Sequence, residues 1–184
     1  MLEKALIAYG SPTLARLKLG SLFAVPCAYG TIEMEIRRLN GMLIPRGVRL
    51  VALRQGKERT LLYLYRERAL DETLLRPDVR ALLTSYGYEA FSAQSALRTL
   101  QRRLAGEREF PHEIGLFLGY PLGDVIGFIA NGGRDCLCAG CWKVYTDVYD
   151  ARRTFARLNK CRRIYGRLFA EGYPLSRLTV RTTE

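Results

Sequence analysis

Hydrophobic residues recur at intervals of three and four along much of the chain, which is the spacing of one face of an α-helix. This pattern predicts helices over 31–44, 70–75, 77–86, 92–103, 121–130 and 147–169. In the helix over 121–130, the apolar face is formed by Leu122, Val125, Ile126 and Ile129. A short helix is also expected to begin at Ser11-Pro12-Thr13, because serine can cap a helix and proline suits its first position.

Short apolar runs bounded by turn-forming residues predict strands at 22–26, 48–53, 60–65 and 141–145. The second and third runs flank Gln55-Gly56-Lys57-Glu58 and therefore indicate an antiparallel hairpin. Together the elements predict an α+β fold, in which a small mixed or antiparallel sheet of about four strands is covered by helices. The length of 184 residues suits a single domain over 1–184, long enough to bury a core.

The basic residues are unevenly distributed. The formal net charge is +11, and the last 34 residues contain nine lysines and arginines against two acids. On the predicted helix over 147–169, one side is apolar, and the other carries Arg152, Arg153, Arg157, Lys160, Arg163 and Arg167. Such a face is typical of an anion-binding surface for nucleic acid or another polyanion, although long basic side chains also solvate helix faces. Arg162 falls within the apolar arc, where its stem can snorkel or its head can meet a buried carboxylate.

Membrane and secretory segments are not indicated. The chain has no run of about 18 apolar residues, and its start lacks a basic region followed by an uninterrupted apolar one. We therefore expect a cytoplasmic protein, in which cysteines are thiols or metal ligands rather than disulfides.

The stretch FPHEIGLFLGYP, residues 110–121, concentrates candidate chemistry, because it holds the one histidine beside Glu113. The two residues are candidates for an acid/base pair, or His112 alone for a metal or haem ligand. The alternative is a helix start, with Pro111 in the first position and Glu113 in the first turn. We expect a small-ligand pocket near this stretch, with aromatic walls from Tyr120, Phe128, Trp142 and Tyr145 and with binding candidates His112, Glu113, Arg66, Lys143, Tyr145 and Lys18.

Cysteines offer a second kind of site. Cys136, Cys138 and Cys141 form a C-x-C-x2-C run, and Cys161 is a candidate fourth thiolate for zinc or an iron–sulfur cluster. The spacing departs from the two C-x2-C pairs of a zinc knuckle, which favours plain thiols in a loop. Cys27 with His112 as its base would make a thiol enzyme, but its place after an apolar strand favours a small buried residue.

Several sequence blocks resemble an uncharacterised bacterial family described only as a domain of unknown function. These are FPHEIGLFLGYP, the following Asp124-Val125 and Gly127-Phe128-Ile129, WKVY from Trp142, SPTLARLKLGSLF from Ser11, Leu64-Tyr65-Arg66 and Gly87-Tyr88. The family often has a cysteine before the Ser-Pro-Thr-Leu block, where this chain has Gly10. The resemblance implies no activity, cofactor or oligomeric state, so the sequence predicts a ligand-binding or accessory protein, with polyanion binding or metal or haem redox chemistry as alternatives.

Overall fold

The computed structural model describes residues 2–26, 31–106 and 110–182. The described residues form eight α-helices, five strands and a single 3-10 turn at Ile44–Arg46. In chain order the elements are α1 (Leu2–Leu14), β1 (Gly20–Pro26), α2 (Thr31–Leu43), β2 (Val48–Gln55), β3 (Arg59–Arg66), α3 (Glu67–Leu74), α4 (Pro77–Ser85), α5 (Ala93–Gly106), α6 (Ile114–Phe117), α7 (Leu122–Ala130), β4 (Cys138–Ala139), β5 (Lys143–Val144) and α8 (Val148–Ala170). The predicted α+β fold is confirmed.

The central sheet has three antiparallel strands in the order β1-β3-β2. The predicted hairpin of β2 and β3 is confirmed, and Tyr63 of β3 lies opposite Val51 on one side and Leu22 on the other. A register shift between Ala52 and Arg54 marks a β-bulge near the end of β2. The middle strand, β3, is therefore hydrogen-bonded along both edges.

Helices cover both faces of this sheet. Leu62 and Leu64 of β3 pack into a core with α1, α2 and the C-terminal half of α8, and Tyr63 and Tyr65 pack into a second core with α3 to α7. Because both of its faces are buried, β3 has the nearly continuous apolar run of a central strand rather than a strict alternation. The molecule consequently has three layers, with the sheet in the middle.

The long helix α8 has the two sides that its sequence predicts. Asp147 caps it by accepting a hydrogen bond from the backbone of Asp150 at 2.9 Å. Ala151, Leu158 and Cys161 are buried on the inner side, where α8 packs on α1. Arg162 lies half-buried at the edge of this side, and its guanidinium donates to Asn159 and Cys141, so of the two alternatives for Arg162 a contact with a carboxylate is not the one observed among the described residues.

The expected helix start at Ser11 is wrong, because α1 begins at Leu2 and Ser11 and Pro12 lie in its last turns. Leu2, Leu6 and Gly10 are spaced by four residues and face the core, and this packing decides where the helix forms. The missing amide of Pro12 removes a hydrogen bond only near the C-terminal end of the helix.

The fourth expected strand lies outside the central sheet. Residues 143–144 pair instead with 138–139 in a separate two-stranded ribbon, because the tight turn at Gly140 brings the two segments together. In α7, Ile126 was expected on the apolar face but is 46% exposed, while Asp124 and Val125 are the buried residues. No helix in the described ranges is long and apolar enough to cross a membrane.

Candidate functional site

Asp124, near the start of α7, organises the region around the ribbon. Its carboxylate is 2% exposed, and Oδ1 accepts hydrogen bonds from the backbone amides of Tyr145 and Thr146 at 2.8 and 2.9 Å. The Thr146 hydroxyl donates to Oδ1 at 2.8 Å, and the indole nitrogen of Trp142 donates to Oδ2 at 2.7 Å. A buried carboxylate with four donors is well satisfied, and it fixes the position of Trp142.

Trp142 and Tyr120 form a stacked pair, with ring centroids 5.1 Å apart and planes inclined by 29°. Phe155 of α8 packs edge-on against the indole, with ring centroids 4.6 Å apart. The Tyr120 hydroxyl donates a hydrogen bond to the carbonyl of Cys141 at 3.2 Å. Both rings line two cavities. The pair is therefore a wall common to both.

The first cavity, which we call the aromatic cavity, has a volume of about 470 Å³. Its lining consists of Phe110, His112, Ile114, Gly115, Tyr120, Asp124, Val125, Phe128, Ala139, Gly140, Trp142 and Lys143. The His112 ring lies edge-on to Phe128, with centroids 4.9 Å apart. The Lys143 ammonium lies 5.8 Å from the Phe128 centroid and donates to the carbonyl of Gly133 at 2.5 Å. The walls are thus mainly apolar, with an imidazole, an ammonium and the Asp124 carboxylate among them.

The second cavity, which we call the cationic cleft, has a volume of about 600 Å³. It lies where the loop after α1 meets α3, α4, α8 and the segment 116–122. Four cationic side chains line it, namely Arg16, Lys18, Arg66 and Arg76, while Glu72 is the one acid in its described lining. The Lys18 ammonium lies 5.0 Å from the Tyr120 centroid, so it faces the common wall from the side of the cleft.

Electrostatics in the cleft disfavour protonated Lys18. Burial, followed by the nearby charge of Arg162, lowers the pKa of the Lys18 amine to about 8, although Cys141 acts in the opposite direction. Burial and the charge of Arg16 likewise lower the pKa of Arg66 to about 10. Both groups remain predominantly charged at neutral pH, so the cleft concentrates positive charge in a partly desolvated space.

Arg66 itself is held within the fold. Its guanidinium donates to the carbonyls of Thr13 and Leu14 at 2.9 and 2.6 Å, and to the carbonyl of Arg46 and the Thr182 hydroxyl at 3.3 and 3.2 Å. These bonds join the C-terminal end of α1 to the 3-10 turn and to the end of the described chain. Arg66 consequently contributes charge to the cleft, while its donors serve the fold.

Glu113 lies in neither cavity. It is fully buried, and its Oε1 accepts from Arg103 Nε at 2.6 Å and from the Tyr88 hydroxyl at 3.1 Å. Its Oε2 has no hydrogen-bond partner within the described ranges. Glu113 therefore anchors the 110–121 stretch to α5, whereas exposed His112 points the other way.

The structure brings together only some of the candidate binding residues. His112 and Lys143 share the aromatic cavity, and Lys18 and Arg66 share the cationic cleft. Tyr145 lines neither cavity, and its hydroxyl donates to the carbonyl of Arg134. The other three aromatic residues expected in a pocket, Tyr120, Phe128 and Trp142, do line the aromatic cavity.

Cysteines are dispersed among several elements. Cys136, Cys138 and Cys141 are half-buried in and around the ribbon, whereas Cys161 is buried on the inner side of α8. Within the described parts of the chain, no group of three or more histidine, cysteine or acidic side chains is arranged to hold a metal ion. Cys27 lies outside the described residues.

The outer face of α8 is entirely exposed. It carries the six predicted cations, Arg152, Arg153, Arg157, Lys160, Arg163 and Arg167. In the described part of the chain, only Arg167 among these has an acidic partner, Glu171 at 3.7 Å. This face is separate from the cationic cleft, which α8 meets through Thr154 and Leu158.

Sequence reasoning missed Asp124 and Arg16. The signal for Asp124 was an acid next to Val125 in an otherwise apolar helix, since such a position is buried only when donors surround the carboxylate. Arg16 has a left-handed backbone, with φ of 60°, which is uncommon for a residue other than glycine and which no sequence pattern indicated.

The chain belongs to the family described as "Protein of unknown function (DUF3793)", whose model matches residues 6–179. The membership in a family of unknown function that the sequence predicted is thereby confirmed. Neither the curated proteins nor the solved structures yielded a match to this chain.

Proposed function

We propose that this protein binds a small organic molecule in the aromatic cavity beside residues 110–121. The observation that carries the proposal is a cavity of about 470 Å³ whose walls are mainly apolar and that presents His112 and Lys143 beside the hydrogen-bonded carboxylate of Asp124. Ligand sites typically have this size and combine apolar walls with a few orienting polar groups. The wall formed by Trp142 is held by Asp124 before any ligand arrives, so the site is preorganised.

The lining indicates a ligand with a planar ring and an acceptor group. Tyr120, Phe128 and Trp142 offer ring faces and edges for stacking. His112 has no hydrogen-bond partner among the described residues, and a neutral imidazole both donates and accepts. Lys143 uses one proton on the Gly133 carbonyl and retains two more for a ligand.

The proposal is tested with the neutral fluorescent probe N-phenyl-1-naphthylamine. We expect its fluorescence to rise on binding to the protein, and the substitution Ala139→Trp to weaken binding at least tenfold by filling the cavity that Ala139 lines. The matched control is Leu137→Trp, which places the same side chain on the same ribbon at a position that is 61% exposed and outside both cavities. This control should bind the probe as the parent protein does.

Two outcomes would contradict the proposal. One is the absence of probe binding by the parent protein, and the other is equal binding by the Ala139→Trp variant. Circular dichroism of both tryptophan variants shows whether the fold is retained, so a loss caused by unfolding is recognised.

A further variant, His112→Phe, keeps a ring beside Phe128 but removes the polar atoms of the imidazole. This variant should lose more affinity for 1-naphthol, which has a hydroxyl group, than for naphthalene, which has none.

A second candidate function is the binding of nucleic-acid phosphates along the outer face of α8. The observation that favours it is that five exposed cations on one helix face lack acidic partners in the described part of the chain, whereas solvated faces commonly mix charges at positions i and i+4. Phosphate contacts release counterions, so the affinity for DNA should fall steeply with salt concentration.

A triple variant tests this second function. Arg153→Glu, Arg157→Glu and Lys160→Glu together should abolish binding of random double-stranded DNA, measured by fluorescence anisotropy at several salt concentrations. The control variant carries Lys4→Glu, Lys57→Glu and Arg98→Glu, at exposed positions off this face. Its net charge changes by the same amount as that of the first triple variant. Equal losses in both triple variants would show a net-charge effect and contradict a site on α8.

A further inference from the structure

We propose that the cationic cleft is a separate binding site for an organic oxyanion, a phosphate or carboxylate group on an apolar body, with Lys18 as its direct contact. The site differs from the aromatic cavity in its lining and in its larger number of cationic side chains. The two share only the Tyr120–Trp142 wall. The inference therefore stands or falls independently of the proposed function.

The charge of the cleft is positive even after its internal ion pairs are considered. Glu72 is paired with Arg68 at 3.0 Å, so its charge is compensated outside the cleft. Arg76 is paired with Asp78 at 2.6 Å on the exposed rim. Lys18 and Arg66 then leave the cleft with a net positive charge, and neither of them forms an ion pair with a carboxylate in the described part of the chain. Field lines from such a group converge in a cleft with low-dielectric walls and attract anions.

Lys18 is the hydrogen-bond donor in the cleft that is available to a ligand. Its ammonium is half-buried and has no hydrogen-bond acceptor in the described part of the chain, only the face of Tyr120. A partly desolvated ammonium without an acceptor is unfavourable, and an oxyanion would provide both the acceptor and the compensating charge. Arg162 adds a second positive field nearby, while its own donors are directed at Asn159 and Cys141.

The remaining walls indicate an organic body rather than an inorganic ion. Six leucine and valine side chains line the cleft together with the cations, namely Leu17, Leu19, Val79, Leu116, Leu122 and Leu158. A volume of about 600 Å³ also exceeds what a bare phosphate fills. Because Arg66 is already held by four hydrogen bonds, the charged end of the cleft needs little rearrangement on binding.

The test uses phenyl phosphate, benzoate and inorganic phosphate as probes in isothermal titration calorimetry. We expect phenyl phosphate or benzoate to bind more tightly than inorganic phosphate, and the preferred member of the pair identifies the oxyanion. Lys18→Met should weaken binding at least tenfold, whereas Lys57→Met, at an exposed hairpin position, should leave it unchanged.

A proton measurement separates direct contact from a general charge effect. The bound anion should raise the pKa of Lys18, so binding near pH 8 should take up protons, detected by repeating the titration in buffers of different ionisation enthalpy. Lys18→Arg should retain charge and partial binding but lose the proton uptake. The proposal is overturned if no organic anion binds, if Lys18→Met binds as the parent does, or if proton uptake persists in Lys18→Arg.

Discussion

The aromatic cavity and the cationic cleft share a wall and differ in almost everything else. Trp142 and Tyr120 belong to both linings. In the aromatic cavity they are joined by His112 and Phe128, and in the cationic cleft by Lys18 and Arg66. One lining is mainly aromatic and apolar, and the other combines cationic and aliphatic side chains, so we propose a different ligand for each.

The difference follows from the elements that supply each lining. The aromatic cavity is built by residues 110–128 and the ribbon, which are close in sequence. The cleft joins the loop after α1 to α3, α4 and α8, which are distant in sequence. A local stretch can form the aromatic cavity, whereas a cluster of cations from three separate segments, namely the loop after α1, the end of β3 and the turn before α4, exists only after the chain has folded.

Replacement of Asp124 should have the largest effect, because it disturbs the shared wall. Asp124→Ala removes the acceptor of four hydrogen bonds and leaves partly buried donors on Trp142, Tyr145 and Thr146 without it. We expect a loss of about 3 kcal/mol in the free energy of unfolding. Urea denaturation measures the loss, and emission from the chain's one tryptophan should shift to the red as the indole becomes hydrated.

The control for Asp124 is Glu89→Ala, an exposed acid that should change stability by less than about 0.5 kcal/mol. Asp124→Asn should give an intermediate loss, since one amide oxygen still accepts while the amide nitrogen faces donors. A stable Asp124→Ala variant that binds both probes normally would refute the idea of a common wall held by this carboxylate.

Gly119→Ala should disturb the cleft while sparing the aromatic cavity. Gly119 lies in the left-handed region with φ of 74°, and an added Cβ would approach the Leu19 Cβ to 2.9 Å. We expect a loss of about 1–2 kcal/mol in stability and weaker phenyl phosphate binding, with N-phenyl-1-naphthylamine binding retained.

The control for this substitution is Gly166→Ala on α8. An added Cβ there meets nothing within 4 Å, so the helix should gain about 0.5–1 kcal/mol. Equal loss of both probes in Gly119→Ala would show that the two cavities do not behave separately.

The sequence predicted most of the fold because its signals are local. The hairpin, the cap at Asp147 and the two sides of α8 each depend on neighbouring residues. The start of α1 was missed because core packing of Leu2 and Leu6 overrides the capping signal at Ser11. The pairing of 143–144 with 138–139 depends on a tight turn at Gly140 rather than on strand composition.

The candidate site was predictable only in part, for the same reason. His112, Phe128 and Trp142 lie near one another in sequence, so a pocket beside residues 110–121 could be expected. It could not be expected that Lys18 and Arg66 line a different cavity from His112 and Lys143, because this separation depends on how α1 and α8 pack. Glu113 was a natural candidate for chemistry as the neighbour of His112, yet its partners Arg103 and Tyr88 come from other parts of the chain.

The smallest expected effect concerns the stability of the unliganded cleft. The pKa of Lys18 is lowered from 10.5 to about 8 in the folded protein, so below pH 8 folding confines a charge that the unfolded chain solvates freely. As the pH rises from 8 to 10.5, the folded protein loses this proton before the unfolded chain does, and stability increases.

Lys18→Met removes the penalty and should therefore stabilise the protein at pH 7 by an amount on the order of 1 kcal/mol, since solvent screens part of the shift. Urea denaturation at pH 7 and pH 10 should show this gain shrinking at the higher pH, while Lys57→Met shows none at either. A variant that loses anion binding but gains stability would indicate that the cleft holds its charge for a ligand, whereas a destabilised Lys18→Met protein would mean that the lysine serves the fold.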